Sequence, residues 1–150
     1  MKQTLLLMML VLGICSTTSF SQVKSYQVED DGFEWYKIEK EFNGTTLYGA
    51  EDRYGKMLIP TEYSIINYWC YNDNSVRSGF HTAKGEYYAW YNKGGKCVVP
   101  CSRRYTQVVK EDDNDEFGTY YSFEKENGGG ILDRNGREVV LINTHGPSSL

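Results

Sequence analysis

The sequence predicts an all-β fold of antiparallel hairpin or meander repeats of about 40 residues, with about ten strands in a partial barrel or propeller-like stack. The first observation behind this is a segment that recurs three times. It reads Leu47-Tyr-Gly-Ala-Glu-Asp-Arg-Tyr-Gly55-Lys-Met-Leu-Ile-Pro60, then Tyr87-Tyr-Ala-Trp-Tyr-Asn-Lys-Gly-Gly95-Lys-Cys-Val-Val-Pro100, then Gly128-Gly-Gly-Ile-Leu-Asp-Arg-Asn-Gly136-Arg-Glu-Val-Val-Leu141. The anchor glycines Gly55, Gly95 and Gly136 are 40 and 41 residues apart. The second is composition: Tyr, Val, Ile and Trp dominate the segments between turn signals. The third is that no segment sustains a helical period.

The first residues are of another kind. Lys2 precedes an apolar run, Leu5 to Ile14, too short to span a bilayer as a helix and suited to the core of a secretory leader. Ser19 and Ser21 are small residues at −3 and −1 of a cut before Gln22. The expectation is a signal peptide over 1–21, one domain over 22–142 and a disordered tail over 143–150. Export places the protein outside the cell or in the periplasm. A lipid anchor at Cys15 is the lesser alternative, since the bulky Ile14 stands where lipid-modifying processing wants a small residue.

Lys2 leaves with the leader, taking the formal net charge from −4 to −5. An acidic chain lacks the basic face that nucleic acid requires. No second apolar stretch is long enough to cross a membrane, and the remainder is one ordinary domain.

The elements follow in order. Trp35 to Glu41 is a strand closed by Asn43-Gly44. Leu47 to Asp52 enters the first anchor hairpin and Met57 to Ile59 leaves it. In each copy Asp52, Asn92 or Asp133 stands three residues before its glycine. Its side chain caps the turn, and Gly55, Gly95 or Gly136 supplies the left-handed conformation. That is a type I turn followed by a glycine bulge. Basic residues flank each turn, as expected of a solvated hairpin tip. Pro60 and Pro100 are expected to end the outgoing strands, because proline cannot donate to a continuing ladder. Further strands run over 63–69 and 105–109, each leading into a polar loop, 71–75 or 111–116. Strands over 76–82 and 118–125 then return to the next anchor hairpin through Lys84-Gly85 and Asn127-Gly128.

Three cysteines remain in the exported chain, an odd number and no disulfide framework. Cys97 and Cys101 would lie roughly 13 Å apart along one strand, beyond bridging distance. Two readings stay open: a bond between Cys70 and Cys97 with Cys101 unpaired, or three reduced, small core residues. No histidine lies at a spacing that supports zinc.

Catalytic signals are sparse. His81 reads as a half-exposed strand residue, and His145 lies in the tail. There is no Gly-x-Ser-x-Gly, no His-Glu-x-x-His and no phosphate-binding glycine loop. The recurrent Asp residues are explained by turn capping. The acidic run Glu111 to Glu116 lacks the register of an EF-hand loop and reads as a solvated loop. Neither a catalytic residue, a cofactor nor a metal is expected.

Thirteen Tyr and three Trp are more than a core of this size requires. Along 87–91 alternation sets Tyr88 and Trp90 on one face and Tyr87 and Tyr91 on the other. Tyr88 and Trp90 are assigned to the core. Tyr87 and Tyr91, with Trp69, are the candidate binding residues, unless a second layer or a neighbouring repeat covers them.

The pattern of Gly, a hydrophobic pair, Asp-x-x-Gly-Lys, a hydrophobic pair, Pro and a later Tyr resembles the WG repeat, also called the KWG repeat. Leu58-Ile59-Pro60-Thr-Glu-Tyr63 matches the last part closely, and Pro100 to Tyr105 matches it with two extra residues. Tyr48-Gly49, Tyr88-Ala89 and Gly129-Gly130 stand where that family has Trp-Gly, and the third copy loses the proline. The resemblance covers roughly Gly44 to Ile142 and implies an exported bacterial interaction or scaffold module, with no catalytic residues to transfer. The expected partner is a protein or a glycan of the envelope or exterior. Two function classes follow: a non-catalytic protein-interaction or scaffold module, and, as the alternative, a carbohydrate-binding module using exposed Tyr and Trp.

Overall fold

In a computed structural model the described residues are 21–70, 78–111 and 120–143. Residues 1–20 of the expected leader, 71–77 with the polar loop and the start of the strand expected over 76–82, 112–119 with most of the acidic run and the start of the strand expected over 118–125, and the tail from 144, with His145, lie outside them. Among the described residues there are twelve strands and one short 3-10 turn, Cys101–Arg103. The strands are β1 (Gln22–Val28), β2 (Glu34–Phe42), β3 (Thr45–Asp52), β4 (Met57–Tyr63), β5 (Ile65–Trp69), β6 (Gly79–Lys84), β7 (Tyr87–Asn92), β8 (Cys97–Val99), β9 (Gln107–Glu111), β10 (Tyr120–Lys125), β11 (Gly128–Leu132) and β12 (Glu138–Asn143).

They form three four-stranded antiparallel meanders in chain order: β1-β2-β3-β4, β5-β6-β7-β8 and β9-β10-β11-β12. The fold is all-β, as the sequence predicts, and its sheets are stacked rather than closed into a barrel. Each copy of the recurring segment forms the last hairpin of its own sheet, β3–β4, β7–β8 or β11–β12.

The three hairpin tips share one geometry. The side chain of Asp52 accepts from the amides of Tyr54 and Lys56 at 2.9 and 2.8 Å. Asp133 does the same with Asn135 and Arg137, and Asn92 accepts from Lys96 at 2.8 Å. Gly55, Gly95 and Gly136 have φ of 84°, 84° and 75°, the left-handed region that only glycine enters cheaply.

Two expectations about strands are corrected. The N-terminal strand β1 is additional: it is a polar, mostly exposed edge, which carries little of the hydrophobic alternation used to find strands. Pro60 does not end β4, which runs on to Tyr63. β4 is an edge strand and its register slips between Tyr48 and Ala50, so no ladder bond is lost at the proline. The chain leaves the first sheet at Ser64, whose amide already donates to Ala83 of the second at 2.8 Å. Thr106 makes the equivalent crossing, donating to Glu124 of the third at 2.8 Å. At Pro100 the expected ending holds, and the 3-10 turn follows directly.

The core lies between the sheets in two clusters. Trp35, Ala50, Leu58, Ile59 and Tyr63 of the first sheet pack on Ile66, Phe80, Ala89 and Tyr91 of the second. Trp90, Val99 and Tyr105 pack on Val108, Tyr121, Phe123 and Leu132 of the third.

Candidate interaction surface

Strand pairing aligns one residue from each strand into a row across each sheet. On the face turned toward the following sheet, the first row is Ser25–Lys37–Ala50–Ile59 and the second is Asn67–His81–Trp90–Val99. The third is Val109–Ser122–Ile131–Val140. Ile59 and Val99 are completely buried, each by the next sheet. Val140, in the same position, is 44% exposed, and its neighbour Ile142 is 59% exposed. The third row is the least polar of the three, and no sheet among the described residues covers it. Val139 and Leu141 are exposed as well, which gives β12 four consecutive exposed apolar residues.

This face is also hollowed. Gly129 stands where the other copies have Tyr48 and Tyr88, leaving a shallow depression of about 550 Å³ bordered by Gln107, Ser122, Glu124, Gly129, Ile131 and Ile142. β12 is an edge strand with no proline: Leu141 replaces Pro60 and Pro100. An edge strand without proline, whose one charge is Glu138 at its start, is suited beside an apolar face to contact with another polypeptide.

The residues singled out from sequence are not brought together. Tyr91 is 8% exposed and belongs to the first cluster, its phenol oxygen 2.5 Å from that of Tyr63. Burial pushes the Tyr63 phenol up to about 12 and Tyr91 higher still. Trp69 lies on the opposite face, against His81 and Trp90 with ring centroids at 5.4 and 6.0 Å. Tyr87 shares the Tyr91 face but is half-buried at its end, with Arg104 donating to its hydroxyl at 2.6 Å. The assignment of Tyr91 to an outer surface is thus corrected. A neighbouring sheet covers it, because both faces of the middle sheet are interfaces.

His81 is a partly buried residue of β6, on the face of the second sheet turned toward the third. Its ring stacks on Tyr88 at 4.8 Å, and burial pushes the imidazole pKa down. Lys93, expected at a solvated tip, reaches back to Asp31 of the first sheet at 3.0 Å and lies over the Phe33 ring. Burial pushes the Asp31 carboxyl up, but hydrogen bonds from Lys93, Tyr68 and the Phe33 amide outweigh it and hold it below the ordinary range.

Cys70, Cys97 and Cys101 are all free. The bridge between Cys70 and Cys97 is not formed: Cys70 follows β5 and Cys97 begins β8, the two outer strands of one sheet. Three strand spacings separate those strands, roughly 14 Å, well beyond a disulfide. Burial pushes the Cys97 and Cys101 thiols up. Among the described residues no three His, Cys, Asp or Glu side chains are grouped to hold a metal ion. No helix among them is long and apolar enough to cross a membrane.

Sequence reasoning missed the third row because it reads each strand alone, and a row exists only once the register of four strands is known. Its signals were present in the third copy as Gly129 for tyrosine and Leu141 for proline. Compared with protein-family models, with curated proteins and with solved structures, the chain has no match.

Proposed function

We propose that the chain is an exported, non-catalytic, WG-repeat-like module that binds protein through its β surface as an interaction or envelope-scaffold element. The observation that carries this reading is the third row. Val109, Ser122, Ile131 and Val140 form a face equivalent to two whose Ala50–Ile59 and Trp90–Val99 halves are buried by a following sheet, and among the described residues no sheet covers it beside the edge strand β12. Removing such a surface from water favours association, at about 25 cal/mol per Å² of apolar area before ordering costs. Export fits the leader, and β1 begins at Gln22, so the expected cut leaves the first strand whole.

The test is retention of envelope and culture-medium proteins of the source organism on the immobilised chain, beside a Val140→Asp variant. The reading expects a set of proteins held by the native chain and lost by the variant. Identical retained sets, or none, would contradict it. A glycan array run in parallel expects no signal; a sugar-specific signal abolished by Tyr87→Ala would instead support carbohydrate binding.

A further inference from the structure

The stacking face just described has a counterpart at the other end of the molecule. On the face each sheet turns toward its predecessor, the second sheet presents Tyr68–Phe80–Tyr91–Cys97 and the third presents Lys110–Tyr121–Leu132–Glu138. The first sheet presents the equivalent row Tyr26–Tyr36–Glu51–Met57, with no preceding sheet among the described residues. Tyr26 and Met57 are both more than half exposed.

The hairpin tips repeat the same asymmetry. A Cβ on Gly95 would lie 2.7 Å from the carbonyl oxygen of Leu58, and one on Gly136 would lie 2.2 Å from that of Val98. Each glycine therefore seats its turn on the backbone three residues past the previous anchor. Gly55 has the same conformation with nothing within 4 Å. The residue three past the last anchor is Val139, which is exposed.

We propose that a second copy of this chain docks head to tail, its Tyr26–Tyr36–Glu51–Met57 row on the Val109–Ser122–Ile131–Val140 row, its Gly55 turn seated at Val139. The occupant follows from continuity with an interface the chain already makes twice: one copy exposes one of each matching half. The single charge in these two rows, Glu51, is held by Lys24 of its own sheet at 2.5 Å. The row that the third sheet turns inward carries charge at its two ends, Lys110 and Glu138, where the first sheet has Tyr26 and Met57; at the place of Glu51 itself stand Tyr91 and Leu132. Because the two halves differ, the contact is heterologous and propagates until a ring closes or a filament grows.

This inference rests on the reading of the third row as an interaction surface. The experiment is analytical ultracentrifugation of the purified chain over a concentration series, with Val140→Asp, Met57→Asp and their equimolar mixture. Both positions are exposed, so both variants should keep the native melting temperature; Ile142→Asp and Tyr26→Asp replace either one that does not. The native chain should associate with rising concentration, and each variant alone should associate at least about tenfold more weakly, because a carboxylate would be buried against a row that holds no cation, whereas Glu138, at the place of Met57 in the third sheet, is held by Tyr105 and Lys125. The mixture should form a dimer and nothing larger, since each variant keeps the half that the other lacks. A native chain that stays monomeric overturns the proposal, and so does a mixture that stays monomeric. Loss of association in Val140→Asp alone, with Met57→Asp unchanged, overturns it in favour of the third face pairing with itself. A monomer that still retains other proteins through Val140 refutes this inference and leaves the proposed function standing.

Discussion

The phenol oxygens of Tyr63 and Tyr91 meet at 2.5 Å across the boundary between the first and second sheets. Their rings lie edge to face, with centroids 5.9 Å apart. Burial raises both phenols, so both stay protonated and one donates to the other. Tyr63→Phe should cost about 1 kcal/mol, the net worth of one such bond. Tyr91→Ala should cost about 3 kcal/mol or more, because it opens a cavity between two sheets. Urea unfolding measures both, and a Tyr91→Ala chain with an unchanged midpoint would place that ring outside the core.

The anchor glycines should differ from one another. Gly55→Val carries only the strain of a left-handed backbone, about 1–2 kcal/mol. Gly95→Val carries the same strain and a clash with Leu58 of the neighbouring sheet, so it should lose more. Lys96→Ala, beside the same turn, should shift stability by less than about 0.5 kcal/mol. Equal losses for the two glycines, read as melting temperatures, would mean that the second turn is not seated on the first sheet.

His81 should give the fold an acid sensitivity near neutrality. Burial lowers its folded pKa, and the backbone bond at Val108 opposes this only in part. The unfolded chain takes up the proton near pH 6.5. Just below that pH the unfolded state therefore binds more protons, and stability falls as pH falls. The contribution is fully present above about pH 6.5 and is lost through the folded value beneath it. Asp31, held below the ordinary carboxylate range, contributes its own loss only nearer pH 4. Unfolding free energies between roughly pH 7 and pH 5 should decline for the native chain and hardly at all for His81→Phe. Parallel slopes would remove His81 from this role.

The recurring segment made most of the fold legible. Asp52, Asn92 and Asp133, each three residues before a glycine, located three hairpins, because turn chemistry is local. What escaped depended on neighbours beyond the hairpin. β1 is too polar to announce itself, and the passage of β4 through Pro60 depends on its being an edge. The aromatic alternation at Tyr87 to Tyr91 was read as two faces, and cover by a second layer or a neighbouring repeat was left open, because alternation along one strand does not say what lies above it. The open row was hidden for the same reason, since Val109 and Val140 are 31 positions apart in the chain and come into line only through β10 and β11.

Processing should leave Gln22 as the first residue of the exported protein, as Ser19 and Ser21 indicate. Intact-mass measurement of the exported chain checks this; retention of the Leu5 to Ile14 run, or a lipid on Cys15, would contradict it.

The most direct measurement of the account is methyl relaxation by a soluble paramagnetic probe. In dilute solution Ile59 and Val99 should be shielded while Val140 and Ile142 relax strongly, because a following sheet covers the first two and none among the described residues covers the others. On concentration, Val140 and Met57 should become shielded together. A Val140 as shielded as Val99 in the dilute chain would contradict the open face, and shielding of Val140 without Met57 on concentration would contradict the head-to-tail stack.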